Sequence, residues 1–583
     1  MAILGIYEGH NAGAAVISEA DGAVVAAVEE ERFSRVKNHD CRPDGMPGPL
    51  QSTKWCVDAS SEEITTVAIG LEEPEALHRR AVNNFLAIVR AGETRRLDRA
   101  AELGVDAADL LAMPLRTQRA RVAKALRTAE KAGVDMDRAR IVHVPHHTCH
   151  ASAFLLAPVE EALVVTLDGK GDDLSGTVHQ GVGHRLRPVL EIPAEASLGH
   201  LYSAATVACG LRPQRDEGKL TAMAATGSTH AGLLARMREL VRFIDGRPHS
   251  TLSLGIVQGP YPDRIPAFHN SAMAAMIDAV DRNDVAATVQ QVLEEVVLDL
   301  VEHHMKNSAT GVLVVSGGVF ANVSLNRRVA GLSCVDELHV HPGMTDSGIA
   351  MGAAAAAYAA THHRRPVPLR SLGLGPSYAD NDATSAFLSQ GYVLSTSGLH
   401  AEPELAEALA SGHVVARFAG GTEYGPRALG HRSVLAPARD TRITSRLNDR
   451  LRRSHVMPFA PMALAEDGPR LFSGLSKVVG PTQYMTTSVL CTDEARRRLP
   501  AAVHRDGTAR PQLVDPLHDL GLVTLLAEYR RLSGEPAVIN TSFNLHDEPI
   551  VCSPADAARS ACEADLDFVQ VGDRVLVRRH GAR

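Results

Sequence analysis

Ile141-Val142-His143-Val144 and Leu163-Val164-Val165-Thr166-Leu167-Asp168 bound the stretch of sequence that decides the fold class. Both runs are apolar and rich in β-branched residues, so they predict buried strands, and the segment His146–Leu156 between them predicts a helix. The pattern recurs further on, where the amphipathic spacing of residues 285–306 predicts a helix and Gly311–Val315 predicts a strand. Strands that alternate with helices in this way predict an α/β fold.

The rest of the chain is consistent with two domains. Three short apolar runs near the start, joined by glycine-containing turns, predict an antiparallel meander, and residues 73–138 predict helices. The proline-containing stretch His362–Tyr378 predicts a linker. We therefore expect one domain over residues 1–362 and a second α/β domain over 379–583, with the last segment free to pack back onto the first domain. The meander runs are Ile3–Tyr7, Ala14–Ser18 and Val24–Val28.

Composition excludes several classes of protein. The chain has 583 residues, 45% of them hydrophobic, which suffices for two or more cored domains. The longest apolar runs are shorter than the ~18 residues that a membrane span needs, and the N-terminus predicts a buried strand instead of a signal peptide. The 8 cysteines lack CxxC spacing, which predicts reduced thiols and a cytoplasmic location. The net charge of −8 argues against nucleic acid as the main partner.

His146 and His150 form the first group of candidate functional residues. Imidazoles four positions apart lie on one face of a helix and can chelate one divalent ion, although such pairs also occur by chance. Asp168 ends a predicted strand and is followed by Gly169-Lys170-Gly171-Asp172, and Asp346 lies in a second glycine-flanked segment. Two histidines and two carboxylates suit iron, manganese or zinc, and such an ion could bridge to phosphate oxygens.

Two glycine-containing turns follow predicted strands and form a second group. In Gly9-His10-Asn11-Ala12-Gly13, small residues surround His10, which can exchange a proton near neutral pH or simply cap a strand. In Ser316-Gly317-Gly318, a strand runs into glycines and a predicted helix, a pattern that suits either a nucleotide phosphate or a tight turn. A P-loop is not present, because Pro213 and Leu220 replace its first glycine and its hydroxyl residue.

The third group lies in the C-terminal half of the sequence. The segment Glu423–Ser433 carries two arginines among glycines, and Arg510 follows later in the chain. Arginine forks make bidentate bonds to phosphate, and Asn540 and Ser542 would add neutral donors. Any one of these arginines could equally form a surface ion pair, so the set is more informative than its members.

Taken together, these motifs resemble the O-carbamoyltransferase family of natural-product tailoring enzymes, which includes the nodulation-factor, cephamycin, novobiocin, ansamycin and tobramycin carbamoyltransferases. The resemblance runs almost end to end. It implies a TsaD-like N-terminal domain of the actin/Hsp70/sugar-kinase superfamily and a YrdC-like C-terminal domain. The segments that carry it are Gly9-His10-Asn11, Glu29–Lys37, His146–Ala151, Asp168–Asp172, Ser197–Tyr202, Glu217-Gly218-Lys219, Ser316–Asn322, Glu423–Ser433 and Asn540–Asn544.

The resemblance also implies an activity. The YrdC-like site would cleave carbamoyl phosphate to carbamate, and the TsaD-like site would use ATP to form carbamoyl adenylate. A hydroxyl of an antibiotic-type molecule (a sugar, macrolide, ansamycin or aminoglycoside) would then take the carbamoyl group. A homodimer is compatible with the family, and neither a membrane nor a nucleic acid is expected as a partner.

Site residues follow from the same resemblance. His10 would be the catalytic base, and a divalent metal, with iron as the first expectation and magnesium or manganese as alternatives, would bind His146, His150, Asp168 and Asp346. The nucleotide would contact Gly169, Gly171, Lys219, Gly317, Gly318 and Asn322. Carbamoyl phosphate would contact Lys37, Arg427, Arg432, Arg452, Arg510, Asn540 and Ser542.

The sequence departs from the family at two positions and leaves three other interpretations open. Asn11 stands where many relatives have Asp, and Met457 stands where some have Arg, a contact that Arg452 or Arg453 could supply. The alternatives are a threonylcarbamoyl transferase acting on tRNA, a metallohydrolase built on His146 and His150, and a non-catalytic nucleotide-dependent interaction protein.

Overall fold

The chain forms two compact units. The computed structural model describes residues 1–42, 47–90, 107–251, 273, 276–277, 279–453, 459–517 and 519–579, without the side chains of 84–90 and 107–114. The first unit comprises Met1–Glu30 and Asn38–Pro368, and the second comprises Glu31–Lys37 and Leu369–Arg583. Both combine helices with sheets, which confirms the predicted α/β class.

The first unit begins with a sheet in the order β3-β2-β1-β4-β5. β1 pairs antiparallel with β2 and β2 with β3, which confirms the predicted meander. On its other side β1 runs parallel to β4, and β4 runs parallel to β5. The strands are β1 (Ala2–Tyr7), β2 (Gly13–Ser18), β3 (Val24–Glu29), β4 (Ile64–Ile69) and β5 (Arg140–His143).

A second sheet repeats this pattern. Its order is β12-β11-β6-β7-β8, so that β6 takes the place of β1, with antiparallel β7 and β8 on one side and parallel β11 and β12 on the other. This duplication of a mixed sheet fits the predicted actin-like fold of the N-terminal domain. The strands, with the separate hairpin β9–β10, are β6 (Glu161–Gly171), β7 (Leu174–Val182), β8 (Arg185–Pro193), β9 (Val241–Ile244), β10 (Arg247–Ser250), β11 (Val312–Ser316) and β12 (Glu337–Val340).

The helices of the first unit cover these sheets. The alanine-rich helix Ile349–His362 packs against β1 and against the helix His146–Ala151. A Cβ on Gly352 would lie 2.1 Å from the carbonyl oxygen of Cys149, so only glycine allows this close approach. The helices are Leu50–Ser60, Pro74–Arg90, Ala107–Lys131, His146–Ala151, Ala153–Leu156, Leu198–Ala208, Glu217–Ala224, Ala231–Leu240, Arg282–Met305, Val323–Ala330 and Ile349–His362.

The second unit is built on a mixed sheet that, within the described residues, has eight strands in the order β13-β23-β22-β14-β15-β21-β16-β20. Its core lies between this sheet and the helices Ala401–Ala410 and Leu520–Ser533. The strands are β13 (Tyr392–Ser397), β14 (Val415–Phe418), β15 (Arg432–Pro437), β16 (Ala460–Leu464), β17 (Phe472–Ser473), β18 (Val489–Cys491), β19 (Thr508–Ala509), β20 (Gln512–Val514), β21 (Ala537–Ser542), β22 (Phe568–Val571) and β23 (Arg574–Arg578), of which β17, β18 and β19 form a separate small sheet.

Shorter helices complete the second unit. The segment Glu31–Lys37, which comes from the N-terminal half of the sequence, is part of it and contributes the first helix. The α-helices are Glu31–Ser34, Asp380–Leu388, Ala401–Ala410, Arg442–Arg450, Gly468–Leu471, Val479–Gln483, Asp493–Arg498, Leu520–Ser533 and Pro554–Glu563.

Most predicted elements are present with small shifts of their ends. The predicted helix His146–Leu156 is interrupted at Ser152, and the helix predicted over 285–306 spans Arg282–Met305. The predicted linker is irregular between His362 and Asp380, and the boundary between the units falls after Pro368. Of the helices predicted over 73–138, residues 91–106 lie outside the described part, as does Met457. No helix in the described ranges combines the length and apolarity that crossing a bilayer requires.

Candidate functional site

Four side chains from distant parts of the first unit converge at the carboxyl ends of its strands. His146 and His150 lie on the helix that follows β5, Asp168 lies near the end of β6, and Asp346 follows β12. One ligand atom from each lies within 4.8 Å of the others. The imidazole Nε2 atoms of His146 and His150 lie 3.3 and 3.2 Å from Asp168 Oδ2. The carboxyl edge of parallel strands is where open α/β sheets bind ligands.

Neighbouring groups hold each of these side chains in place. The His150 Nδ1 atom lies 3.3 Å from Ser316 Oγ, which fixes the ring so that Nε2 faces the carboxylates. Asp168 Oδ1 accepts hydrogen bonds from the backbone N–H groups of Gly169 and Gly318, at 2.7 and 3.3 Å. Because these contacts use His150 Nδ1 and Asp168 Oδ1, the atoms His150 Nε2 and Asp168 Oδ2 remain available to a metal ion.

Tyr7, the last residue of β1, orients Asp346. Its hydroxyl donates a 2.8 Å hydrogen bond to Asp346 Oδ2, while Asp346 Oδ1 lies 3.6 and 3.7 Å from the histidine Nε2 atoms. Burial, together with the charge of Asp346, raises the pKa of Tyr7 well above its usual value, so the phenol remains a donor. Sequence analysis did not identify Tyr7.

The electrostatics of the cluster favour opposite charges on its members. Burial alone would lower the pKa of His150, but its hydrogen bonds to Asp168 and Asp346 outweigh burial and raise that pKa to about 9. Burial would raise the pKa of Asp168, yet the hydrogen bonds from His146 and His150 hold it well below its usual value. After release of the proton from His150, two imidazole nitrogens and two carboxylate oxygens would fit a divalent ion such as iron, manganese or zinc.

Asp172 positions the helix that carries the two histidines. Its Oδ2 accepts hydrogen bonds from the backbone N–H groups of His146, at 2.7 Å, and Glu72, at 2.9 Å. Its Oδ1 accepts a 2.8 Å bond from Gln118 Nε2. His147 points elsewhere, toward Thr166 and the carbonyl of Leu174, which gives it a structural role. Asp172 was part of a sequence motif but was not assigned a role.

His10 lies on the loop between β1 and β2. Its Nδ1 is buried and has no hydrogen-bond partner among the described residues. Burial, assisted by the charge of Arg42, lowers the pKa of His10, although Asp346, Asp40 and Asp168 oppose the shift. The neighbouring Asn11 adopts a φ of 55° and donates to Thr345 Oγ1 at 3.3 Å. The left-handed conformation suits Asn, and its amide here anchors the loop.

The predicted nucleotide-contacting glycines surround the same cluster. Gly317 has a φ of 103°, and a Cβ there would lie 2.1 Å from the carbonyl oxygen of Leu167, so only glycine fits between β11 and β6. Gly171 packs against the ring of His146, and Gly169 and Gly318 direct their N–H groups at Asp168. These four glycines are therefore brought together at the cluster.

Lys219 and Asn322 make contacts within the protein. Lys219 Nζ pairs with Asp216 at 2.8 Å. The Asn322 side-chain oxygen caps the helix Val323–Ala330 by accepting from Leu325 N, and its amide donates to Gln290 Oε1 at 2.7 Å. Asn322 thus ties two helices together, and sequence analysis did not foresee that role.

In the second unit, the loop between β14 and β15 is shaped by Glu423. Its Oε1 accepts three hydrogen bonds, from the backbone N–H groups of Leu429, His431 and Arg432, at 2.8, 2.8 and 2.9 Å. Asn540 supports the loop from β21, because its Nδ2 donates to the carbonyl of Ala428 at 2.9 Å. The loop is therefore rigid.

Arg427 on this loop and Arg510 before β20 lie near each other. Each has a buried Nε without a hydrogen-bond partner, and neither forms an ion pair with a described residue. Burial lowers the pKa of Arg427 to about 10, and burial together with the charge of Arg427 lowers that of Arg510 well below its usual value. Two partly buried, mutually repelling cations without counter-ions among the described residues could accommodate a small anion.

The other predicted donor-binding residues have different surroundings. The guanidinium of Arg432 donates to the carbonyls of Ala419, Gly420, His431 and Pro376 and lies 3.8 Å from the centre of the Phe418 ring. Arg452 is exposed and pairs with Glu563 at 3.1 Å. Lys37 is exposed on the segment that belongs to the second unit.

Arg453, next to Arg452, contacts Ser542 instead. Its Nη2 donates to Ser542 Oγ at 2.9 Å and to Asn544 Oδ1 at 2.7 Å, and its Nη1 donates to Thr541 Oγ1. Burial lowers the pKa of Arg453 to about 10. Sequence analysis weighed Arg452 and Arg453 as equivalents, and the direction in which each side chain leaves the loop separates them.

Comparison with known proteins places these sites in a family. The family model described as "Carbamoyltransferase N-terminus" matches residues 2–355, and that described as "Carbamoyltransferase C-terminus" matches residues 406–578. The nodulation protein NolNO of Sinorhizobium fredii is 30% identical over 97% of this chain and 79% of its own length. The nodulation protein NolO of Bradyrhizobium diazoefficiens is 32% identical over 75% of this chain and 79% of its own.

Among solved structures, component A of the (R)-2-hydroxyglutaryl-CoA dehydratase of Acidaminococcus fermentans matches 62% of this chain and 99% of its own, with 12% identity and a TM-score of 0.35. The two family models together account for most of the chain, including every residue of the four-ligand cluster and both Arg427 and Arg510. The chain therefore belongs to the carbamoyltransferase family of enzymes.

Proposed function

We propose that this enzyme is an ATP-dependent O-carbamoyltransferase that uses carbamoyl phosphate and modifies a hydroxyl group of a natural product in antibiotic biosynthesis. Water cleaves carbamoyl phosphate to carbamate and phosphate in the second unit. A carbamate oxygen attacks the α-phosphorus of ATP, which gives carbamoyl adenylate and pyrophosphate. The acceptor hydroxyl then attacks the carbamoyl carbon, and AMP leaves. Carbamoyl adenylate has a good leaving group, which compensates for the weak nucleophilicity of an alcohol.

The observation that carries the proposal is the pair Arg427 and Arg510. Two partly buried guanidinium groups, each with a buried Nε and no internal counter-ion among the described residues, repel each other, and a phosphate group would relieve both their desolvation and their repulsion. Arginine is suited to this because its planar fork forms bidentate bonds to phosphate oxygens. Asn540, Arg453 and Ser542 support the proposal by fixing the loop and strand that flank the pair.

We infer that Arg432 and Arg452 do not contact the donor. Both Nη groups of Arg432 donate to backbone carbonyls, so this residue shapes the loop. Arg452 is a surface ion pair, a type of contact that contributes at most about 1 kcal/mol. For the donor, Arg427, Arg510 and the Ser542 region remain the proposed contacts.

The cluster in the first unit is proposed to receive ATP. His146, His150, Asp168 and Asp346 would hold a divalent ion, with iron favoured and magnesium or manganese as alternatives, which when bound neutralises phosphate charge. The glycines at 169, 171, 317 and 318 keep the backbone close to this cluster at the strand ends, where the phosphates would bind. His10 is the proposed base for the acceptor hydroxyl, because its Nδ1 is buried near this cluster without a partner among the described residues.

The test is an incubation of the purified protein with ATP, carbamoyl phosphate and a divalent metal, without acceptor. Mass spectrometry should detect carbamoyl adenylate together with released pyrophosphate, and both should require both substrates. Arg510→Ala should abolish the product, whereas the control Arg452→Ala, which changes an exposed arginine of the same unit, should retain it. Pyrophosphate released without carbamoyl phosphate, or activity unchanged in Arg510→Ala, would overturn the proposal and reopen the metallohydrolase and tRNA interpretations.

A further inference from the structure

A cavity in the second unit is lined by residues to which the proposed reaction gives no role. It has about 430 Å³ of empty volume, and its wall includes Glu423, Leu429, His431, Tyr484, Gln512 and Asp519. Carboxylates, a histidine and an amide around apolar residues are the composition of a small-ligand site.

Two atoms of this wall are buried without a hydrogen-bond partner among the described residues: Glu423 Oε2 and His431 Nδ1. Glu423 is only 1% exposed, and its other oxygen is fully used by three backbone N–H groups. A buried polar atom without a partner costs free energy, so its persistence in a rigid loop calls for a ligand or water that supplies the missing bond.

The His431 ring is held in its position by close packing. A Cβ on Gly373 or Gly420 would lie 2.9 Å from its ring atoms, so two glycines make space for it. On the other side, Nε2 lies 4.0 Å from Asp519 Oδ2, and Asp519 itself is fixed by a 2.8 Å ion pair with Arg417. The His431 ring is therefore held in one orientation, with Nε2 toward Asp519.

The charges of this wall select the kind of ligand. Asp519 is already paired with Arg417, and the exposed Arg370 also lines the cavity, so Glu423 is the group that discriminates. Its Oε2 is an acceptor that calls for an N–H or O–H donor. A primary amide carries two N–H donors and no charge, and therefore matches the composition of the wall. An anion belongs instead at the arginine pair.

The cavity and the arginine pair are formed by the same two segments. Leu429 comes two residues after Arg427 on the loop, and Gln512 comes two residues after Arg510. These segments are tied together, because Gln512 Nε2 donates to the carbonyl of Leu429 at 2.7 Å. The arginine pair and the cavity together would therefore match a ligand that has a phosphate at one end and an amide at the other.

We propose that this cavity is the subsite that recognises the amide group of carbamoyl phosphate, with Glu423 Oε2 as the specificity-determining acceptor. The inference rests on the proposed function, since it assumes that the phosphate end of the same donor binds at Arg427 and Arg510. It assigns to Glu423 the discrimination of carbamoyl phosphate from other acyl phosphates.

The test compares carbamoyl phosphate with acetyl phosphate, which has a methyl group in place of the amide nitrogen. Dissociation constants are measured by calorimetry for the wild type and for Glu423→Gln. The three N–H donors keep the oxygen of the new amide at Oε1, so that an NH2 group replaces Oε2. We expect the wild type to prefer carbamoyl phosphate and the variant to lose about 10- to 100-fold of that preference. Inorganic phosphate, the probe of the arginine pair, should bind both proteins equally.

One control variant and one additional cavity variant accompany this experiment. Glu535→Gln changes another buried glutamate of this unit, which pairs with Arg439 and Arg498 outside the cavity, and should keep the preference. His431→Gln serves as a second variant should Glu423→Gln fail to fold, and should also weaken the preference. Equal binding of the two acyl phosphates by the wild type, or an undiminished preference in a folded cavity variant, overturns the subsite. Failure of the wild type to bind phosphate at all would instead overturn the donor site of the proposed function, and the subsite with it.

Discussion

Tyr7→Phe should weaken metal binding at the four-ligand cluster without disturbing the packing around it. The substitution removes one oxygen from a side chain that is 3% exposed and leaves the ring in place. What is lost is the 2.8 Å hydrogen bond to Asp346 Oδ2. Hydrogen bonds to charged groups contribute about 1.5–3 kcal/mol, and about 1.4 kcal/mol corresponds to a tenfold change in affinity. The dissociation constant for the metal should therefore rise about 10- to 100-fold, the range found when such supporting contacts to ligands are removed.

The assay is a competition titration with a chelator of known affinity, using ferrous or manganous ion. Because the pKa of Tyr7 lies well above its usual value, the phenol stays protonated, so the ratio of the two affinities should be constant between about pH 6 and 9. The matched control is Tyr202→Phe, since Tyr202 is a buried tyrosine of the same unit whose hydroxyl donates to Gln290 Oε1 at 2.9 Å. It should lower stability by about 1 kcal/mol and leave metal affinity unchanged. A Tyr7→Phe protein that binds metal within about twofold of the wild type would refute the reasoning.

Three further predictions concern other residues. Burial raises the pKa of Glu72 to about 7, so its contribution to stability is complete below its unfolded-state pKa near 4.5 and is lost as the pH rises through 7. In urea unfolding, the free energy of unfolding of Glu72→Gln should rise by up to about 3 kcal/mol relative to that of the wild type as the pH increases from 5 to 8. Parallel pH profiles of the two proteins would contradict this. Gly317→Ala should cost at least about 2 kcal/mol and weaken metal binding, because its Cβ would meet the Leu167 carbonyl at 2.1 Å; an unchanged urea midpoint would count against this packing. Arg453→Lys should raise the dissociation constant for carbamoyl phosphate about tenfold, because a single ammonium cannot replace the fork that holds Ser542, and metal affinity serves as its control.

The parts of the site that sequence analysis predicted are those that local patterns encode. The spacing of His146 and His150 places both on one helical face, and Asp168 marks the end of an apolar strand, so these residues could be grouped from short segments alone. Asp346 was grouped with them because it lies in a second glycine-flanked segment, and in the structure it reaches the cluster because parallel strands end at one edge of a sheet. Tyr7 lies 339 residues from Asp346 in the sequence, and no local pattern connects the last residue of β1 to a carboxylate after β12.

The predictions for the arginines depended on side-chain direction, which the sequence does not specify. Arg427 and Arg432 lie on one loop, but only the first is without an internal partner among the described residues, because Arg432 turns back onto carbonyls of its own unit. Arg452 has a φ of 54°, so the chain bends there and sends Arg452 to the surface and Arg453 toward Ser542. The residue type determines which groups a side chain can bind, whereas the backbone conformation determines which groups it contacts in the fold.

The charged groups of the two candidate sites differ in their internal partners, and this difference bears on how ligands stabilise the protein. In the first unit Asp168 has internal partners, because the Nε2 atoms of His146 and His150 lie 3.3 and 3.2 Å from its Oδ2. In the second unit Arg427 and Arg510 are partly buried without such partners among the described residues, which raises the free energy of the ligand-free state. A ligand that relieves this cost stabilises the folded unit in proportion to its affinity. A phosphate-bearing donor should therefore raise the melting temperature of this protein by an amount set by its concentration relative to its dissociation constant.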